Sequence, residues 1–391
     1  MLRRLFLSTL FCAFAGLLCA QTNIVVKGNV DTQAPVYRIK ITGAQEAANL
    51  AKWAFSTHGS FKVVDANPQY EISLAESGDN MIGLTINGAR PFTQVVQGNS
   101  YANAVARACD LAVLKILASP GYFAGELTFA SDRTGKTEIY ISDFLFTNIR
   151  QLTNDKSDSM LPHWSPDGSK IIYTGYYRTK LMDLYEITLN PRSRRTFASY
   201  RGTNTGGEFS PDGRKVAMIL TTTGNAEVWT CDASGRNAKR LTKNDSVEAS
   251  ASWSPDGSQI VYTSDALGRP QLYIMSADGK GSKRIKTNIS GYCSEPDWNP
   301  LYPNLIAYTC ARGKGFQIAV HDLNTGKSEV ITQSGSSSLP RWTNDGRHIV
   351  FTKNFGKSRK LYIVDYKNKK ETLLHSAKLG NCGEADFIYK H

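Results

Sequence analysis

The turn WSPDG at residues 164–168 returns as FSPDG at 209–213 and as WSPDG at 253–257, with looser copies in WNPLYPN from Trp298 and WTNDG at 342–346. Successive aromatic positions lie 45, 44, 45 and 44 residues apart, a regularity that marks a structural repeat. Each copy continues into a strand: IIYTG from Ile171, VAMIL from Val216, IVYTS from Ile260, IAYTC from Ile306 and IVFTK from Ile349. A second strand follows, centred on Leu184, Val228, Leu272, Ile318 and Leu361, then a polar turn and a last strand ending in RLT at 240–242 or a relative of it. Four short strands without a helix make a propeller blade. In Ser-Pro-Asp-Gly the proline presets φ for a type I turn, aspartate tolerates the second central position, and glycine takes the following left-handed one cheaply. The aromatic before it suits the wedge between neighbouring blades, so Trp164, Phe209, Trp253, Trp298 and Trp342 are read as structural repeat residues.

Blade number follows from the two ends of the repeat. Residues 127–153 carry the middle and outer strands of a further unit, with Ile139 and Tyr140 in the equivalent of LY, but no inner strand. After the fifth turn motif the chain adds EADFIYK at 384–390, and Phe387 falls 45 residues beyond Trp342, where the next aromatic is due. The expected fold is a small α/β domain followed by an all-β six-bladed β-propeller, its ring closed by a C-terminal strand that removes free sheet edges.

The expected domains are a signal peptide at 1–20, an N-terminal α/β domain at 21–118 and the propeller at 119–391. Arg3 and Arg4 precede an apolar run to Ala20, the layout of an export signal, with a lipoprotein cut at Cys19 and an uncleaved anchor as alternatives. Residues 44–55 and 101–117 read as helices with one apolar face, and segments from Phe61, Tyr70, Met81 and Phe92 as strands. Asn99 or Ser100 is placed to cap the second helix, and Cys109 falls on its apolar face.

A net charge of +12 permits acidic proteins or anionic surfaces as partners without choosing between them. Nucleic acid is not expected for an exported chain. There is no GxSxG, HExxH or CxxC, so no catalytic residue, metal site or cofactor is expected. The repeated Asp167, Asp212, Asp256 and Asp345 sit in hairpin turns spread around the ring, a structural placement. His163, beside Trp164, is read as a blade-edge residue, with a partner contact as the alternative. The informative positions are those just before each inner strand, which converge on one mouth of the channel. Asp158, Ser159, Asn204, Thr205, Glu248, Ser294, Glu295, Ser337 and Ser338 form this polar rim and are the candidate partner-binding residues. Cys293 and Cys310, on antiparallel neighbours, are candidates for a disulfide.

The W/F-SPDG, I-x-Y/F-T-S and LY-x-x-D-x-x-G pattern resembles the propeller repeat of the TolB family, the soluble periplasmic component of the Tol-Pal system of Gram-negative bacteria. ANAVARACDLAVLKILASPGYFAGELTFASDRTGKTEIYISDF, at 102–144, resembles the family's helix, junction and first blade. The resemblance is loose from residue 22 and firm from about 102 to 365. It implies a non-enzymatic, monomeric module peripheral to the envelope that binds a Pal-like peptidoglycan-associated lipoprotein at the channel face and Tol membrane proteins through the N-terminal domain, supporting outer-membrane integrity and cell division. The helix departs from the family pattern, in which an alanine-histidine pair precedes serine-aspartate: here Cys109 follows Ala108 and leads into Asp110. A propeller hydrolase or lyase, or a carbohydrate-binding or sensory propeller, is the alternative reading.

Overall fold

The computed structural model describes residues 34–390. The export segment expected at 1–20 lies outside them.

The α/β region is a five-stranded mixed sheet with two helices packed on it. β1 (Tyr37–Gly43) runs parallel to both β2 (Phe61–Val63) and β3 (Tyr70–Gly78), while β4 (Met81–Asn87) and β5 (Phe92–Gln97) continue from β3 as antiparallel neighbours. Ile39 and Ile41 of β1 and Ile82, Leu84 and Ile86 of β4 alternate into the core, the two-residue period of a half-covered sheet. α1 (Gln45–Thr57) and α2 (Tyr101–Leu117) cover that face. Ser100 caps α2, its hydroxyl accepting the Asn103 N–H, and Ala118 ends it in the left-handed conformation. Cys109 is fully buried.

The propeller has six four-stranded antiparallel sheets. Blade 2 takes its inner strand from Ser159–Trp164, blade 3 from Asn204–Phe209, blade 4 from Glu248–Trp253, blade 5 from Cys293–Trp298 and blade 6 from Ser336–Trp342. The repeat turns form as their chemistry dictates. In blade 2 the Gly168 N–H donates to Ser165 O at 2.8 Å, Gly168 sits at φ 67°, and Asp167 accepts from the Ser165 hydroxyl and the Ser169 N–H. Asp212 and Asp256 repeat this, and the hydrogen bonds from Ser210 and Ser254 hold both carboxyls below their usual range.

The expected ring closure is corrected. The six sheets are separate ladders, and no described strand pairs from one blade to the next, so no strand closes the ring and each sheet keeps an inner and an outer edge. The reason is spacing: neighbouring blades meet face to face through side chains, about 10 Å apart, beyond the reach of backbone hydrogen bonds. The C-terminal strand Cys382–Ile388 has a narrower task. It lies antiparallel to Glu126–Ser131 as the inner strand of blade 1, with Phe387 opposite Leu127. Apolar side chains pack between blades, as where Trp298 clusters with Val261 and Leu272 of blade 4.

The α/β region sits on the face that carries the repeat turns, and one apolar cluster joins Phe55 and Phe61 to Tyr122, Phe123, Phe144 and Leu374. Asp110 of α2 ties the joint: its carboxylate accepts the Phe123 and Ala124 N–H groups and the Tyr389 hydroxyl. Gly59 lets the backbone approach blade 6, since a Cβ there would stand 2.2 Å from the Asp365 carboxylate. Beside it the His58 and His348 rings lie 4.5 Å apart. His348 Nδ1 donates to Asp345 at 2.6 Å and Nε2 faces Asp365 at 3.4 Å, while Arg347 bonds Asp365 at 2.8 Å.

Burial opposes charge on His348, but the two carboxylates outweigh it and hold its pKa above the ordinary value. Burial likewise pushes Asp345 up, and the imidazolium overrides it, leaving the carboxyl at about 2. His58, buried next to this cation, is pushed well down and stays neutral. Because the folded pKa of His348 is raised, its contribution is complete below the unfolded value and fades as pH rises through the folded one. His348→Ala is therefore expected to cost about 3 kcal/mol at pH 6, with a smaller deficit at pH 9, as read by urea unfolding. An equal deficit at both values would assign the effect to packing.

Candidate functional site

The channel is lined by the six inner strands, each of which breaks its alternation with a β-bulge. The bulged residues are Leu161, Gly206, Ser250, Glu295, Leu339 and Glu384, all with φ between 48° and 64°. Five of them are not glycine, and each left-handed residue costs about 1 kcal/mol or more. The neighbouring blade supplies compensation. The threonine of the I-x-Y-T strand bonds the bulged N–H of the next blade: Thr174 to Gly206 at 3.3 Å, Thr263 to Glu295 at 3.2 Å, Thr309 to Leu339 at 3.2 Å and Thr352 to Glu384 at 2.8 Å. Carboxylates add to this, Glu295 accepting the Leu339 N–H and Glu384 the Leu161 N–H, each at 2.8 Å. The repeated threonine is thus a hydrogen-bond link between blades.

Deeper in the channel stand the residues that precede each aromatic: His163, Glu208, Ser252, Asp297, Arg341 and Asp386. The acids reach to the next blade and accept the backbone N–H of its aromatic. Asp386 bonds Trp164 at 2.8 Å, Glu208 bonds Trp253 at 3.1 Å and Asp297 bonds Trp342 at 2.7 Å, with the Ser252 hydroxyl near the Trp298 N–H at 3.3 Å. Arg341 crosses the axis. Its guanidinium meets Asp297 of blade 5 at 3.1 Å, Glu208 of blade 3 at 3.8 Å, Asp386 of blade 1 at 4.0 Å and His163 of blade 2 at 3.1 Å. The side chains of Arg341 and its three acids are each less than a fifth exposed. One cation thus faces three carboxylates across the channel.

This imbalance governs protonation. Burial, only partly offset by Arg341, pushes Glu208 up to about 7 and Asp386 up to about 6, and raises Asp297 as well. Burial, reinforced by the guanidinium, drives His163 well down. The cluster can therefore exchange a proton near neutrality, which relieves the excess negative charge.

The rim residues expected from sequence divide into two sets. Ser159, Asn204, Glu248 and Ser337 are buried. Asn204 donates to Tyr200 O at 2.9 Å, and Glu248 accepts from the Ser264 hydroxyl at 2.9 Å and the Asn244 amide at 3.2 Å. Burial pushes the Glu248 carboxyl up to about 7, with Glu227 beside it acting the same way. Ser294 is buried too. Asp158, Thr205, Glu295 and Ser338 keep part of their surface open at the mouth. Trp164, Phe209, Trp253, Trp298 and Trp342 are buried, and Phe387 is half-buried, its ring 2.2 Å from where a Cβ on Gly125 would stand. Cys293 pairs with Cys310 in the ladder, and both are free thiols. The adjacent Ala311 N–H to Tyr292 O bond makes theirs a non-hydrogen-bonded pair, the kind in which side chains lie closest.

The sequence reading passed over the channel cluster. Its trace in the sequence is the charge at four of the six positions before the repeat aromatics, Glu208, Asp297, Arg341 and Asp386.

A family model described as the TolB beta propeller domain matches residues 114–384. The Tol-Pal system protein TolB of Anaeromyxobacter dehalogenans (strain 2CP-1 / ATCC BAA-258) is 30% identical over 155 residues, 40% of this chain and 35% of that protein. TolB of Desulfosudis oleivorans is 33% identical over 140 residues, 36% of this chain and 32% of that protein. The matched stretches thus span about a third of the length of these relatives. The crystal structure of TolB from Acinetobacter baumannii superposes with a TM-score of 0.80 at 20% identity, covering 91% of this chain and 97% of that one, a likeness of fold.

Proposed function

The chain belongs to the TolB β-propeller family, and on that footing we propose that it is a non-enzymatic protein-binding module of a Tol-Pal-like system in the periplasm of a Gram-negative envelope. It supports outer-membrane integrity and envelope constriction through contacts with a Pal-like lipoprotein and Tol membrane proteins. The observation that carries this reading is the plug: Arg341, held from blades 1, 2, 3 and 5, turns the channel into a shallow bowl below an open polar mouth. A bowl can seat a loop of a partner protein above the guanidinium. Among the described residues, the α/β region packs on the opposite face.

The test is a periplasmic pull-down with the protein lacking residues 1–20 as bait. Recovery of a Pal-like lipoprotein is expected, with recovery lowered at least about tenfold by the double substitution Thr205→Arg and Ser338→Arg, which fills the mouth with bulk and charge. Capture of no envelope protein, together with reproducible turnover of a glycan or ester substrate, would overturn the reading.

A further inference from the structure

The strands of a blade run up and down, so the loops between its second and third strands emerge on the same face as the open mouth, opposite the repeat turns. In five of the six blades this loop carries an exposed arginine or lysine: Arg133, Arg178, Arg269, Lys314 and Lys357 in blades 1, 2, 4, 5 and 6. The connections between blades add Lys156, Arg201, Lys243 and Lys286, also exposed. Acids on the same loops are largely committed to the fold. Asp132 accepts from Asn381, Asp155 pairs with Arg194, Asp158 accepts the Thr137 N–H and Asp265 the Val247 N–H, leaving Asp245 as an exposed exception.

The same face gathers apolar groups. Half of the large apolar side chains that the described residues leave exposed are here, among them Tyr177, Leu181, Leu267 and Phe355, with Leu181 and Leu267 about three-fifths exposed. Tyr177 is braced, with the Arg194 guanidinium 3.7 Å from its ring centre. Apolar anchors among exposed cations, around a polar bowl, have the make-up of a protein-docking surface, in which aromatic and aliphatic groups supply affinity and charge supplies selection and rate.

We propose that the mouth face docks an acidic surface of its protein partner, the ring of basic loops steering a negatively charged docking face onto the bowl. This rests on the partner reading above and specifies the partner's chemistry: carboxylate-rich around the segment that enters the bowl. A protein occupant is favoured over an anionic lipid surface because the polar bowl at the centre has hydrogen-bonding groups, such as Thr205, Glu295 and Ser338, that a flat headgroup layer leaves unfilled.

The experiment measures association of the soluble domain of a Pal-like lipoprotein from the same organism with the protein lacking residues 1–20, from about 50 to 500 mM salt. The comparison is with a triple variant, Arg178→Glu, Arg269→Glu and Lys314→Glu, whose exposed sites leave folding intact, as checked by circular dichroism. The expected result is an on-rate that falls about tenfold or more across the salt range and about tenfold in the variant. Binding unchanged by salt and by the triple reversal overturns the inference while the partner reading stands. No binding at low salt overturns both. Vesicles containing an anionic phospholipid are titrated in parallel. Reversal-sensitive binding to them, with none to the lipoprotein domain, overturns a protein occupant in favour of a membrane.

Discussion

Replacing Arg341 with methionine is expected to lower the unfolding free energy by about 3 kcal/mol at pH 8 and by much less at pH 5. At pH 8 the substitution leaves Glu208, Asp297 and Asp386 charged, largely buried and without their cation. In the native protein burial already lifts Glu208 to about 7 and Asp386 to about 6. A carboxyl whose folded pKa is raised favours folding while protonated, so its contribution is complete below the unfolded value near 4 and declines as pH rises through 6 to 7. Without Arg341 the folded values rise further and the window of decline widens. Urea unfolding at pH 5, 6.5 and 8 reads the effect. A deficit equal at all three values would show that the guanidinium acts by packing and not by charge.

Deleting residues 382–391 is expected to abolish the cooperative unfolding transition. The deletion strips the inner strand from blade 1, exposing the ladder edge of Glu126–Ser131. It removes Asp386 from the channel cluster and the Tyr389 hydroxyl from Asp110, at the joint with the α/β region. Phe387→Ala separates strand from side chain: it keeps the ladder and is expected to cost about 3 kcal/mol, lowering the melting temperature without loss of cooperativity. Lys390→Ala serves as a control, since its bond to Glu126 is a partly exposed ion pair worth less than about 1 kcal/mol. A truncated protein that melts at the native temperature would contradict the role assigned to this strand.

The blades were legible in the sequence because their signal is local. The Ser-Pro-Asp-Gly turn needs only four adjacent residues to hold its geometry, and the aromatic before it recurs at a fixed interval. The place of the last strand was legible for the same reason, through Phe387. Its effect was not: a strand that joins one sheet leaves the faces between sheets to side chains, and periodicity is silent on which contact joins neighbours.

The site was harder to read because bulges break the alternation of the inner strands. At Leu161, Glu295 and their equivalents an extra residue resets which side chains face the channel. A strict two-residue period therefore does not show that Ser159, Asn204 and Glu248 turn inward while Thr205 and Glu295 stay at the mouth. The plug draws on residues up to 223 positions apart, such as Asp386 and His163, so only the circular arrangement of the six sheets brings them together. Its trace in sequence is chemical: charged residues at a position flanked by buried aromatics call for partners.

The basic loops change the meaning of the net charge. In sequence it was a bulk property without a direction. In the structure the acids on the mouth loops are tied down by Arg194, Asn381 and backbone N–H groups, and the cations around them stay exposed.

The central claim is that the protein works as a binding module through the mouth above the Arg341 plug. The most direct measurement is amide hydrogen exchange of the protein lacking residues 1–20, with and without the soluble domain of a Pal-like lipoprotein. The account predicts slowed exchange in the mouth segments around 199–206, 243–250, 287–295 and 333–339, with no change in the repeat turns at 165–168, 210–213 and 254–257. Protection confined to those turns or to the outer strands, with the mouth unaffected, would contradict it.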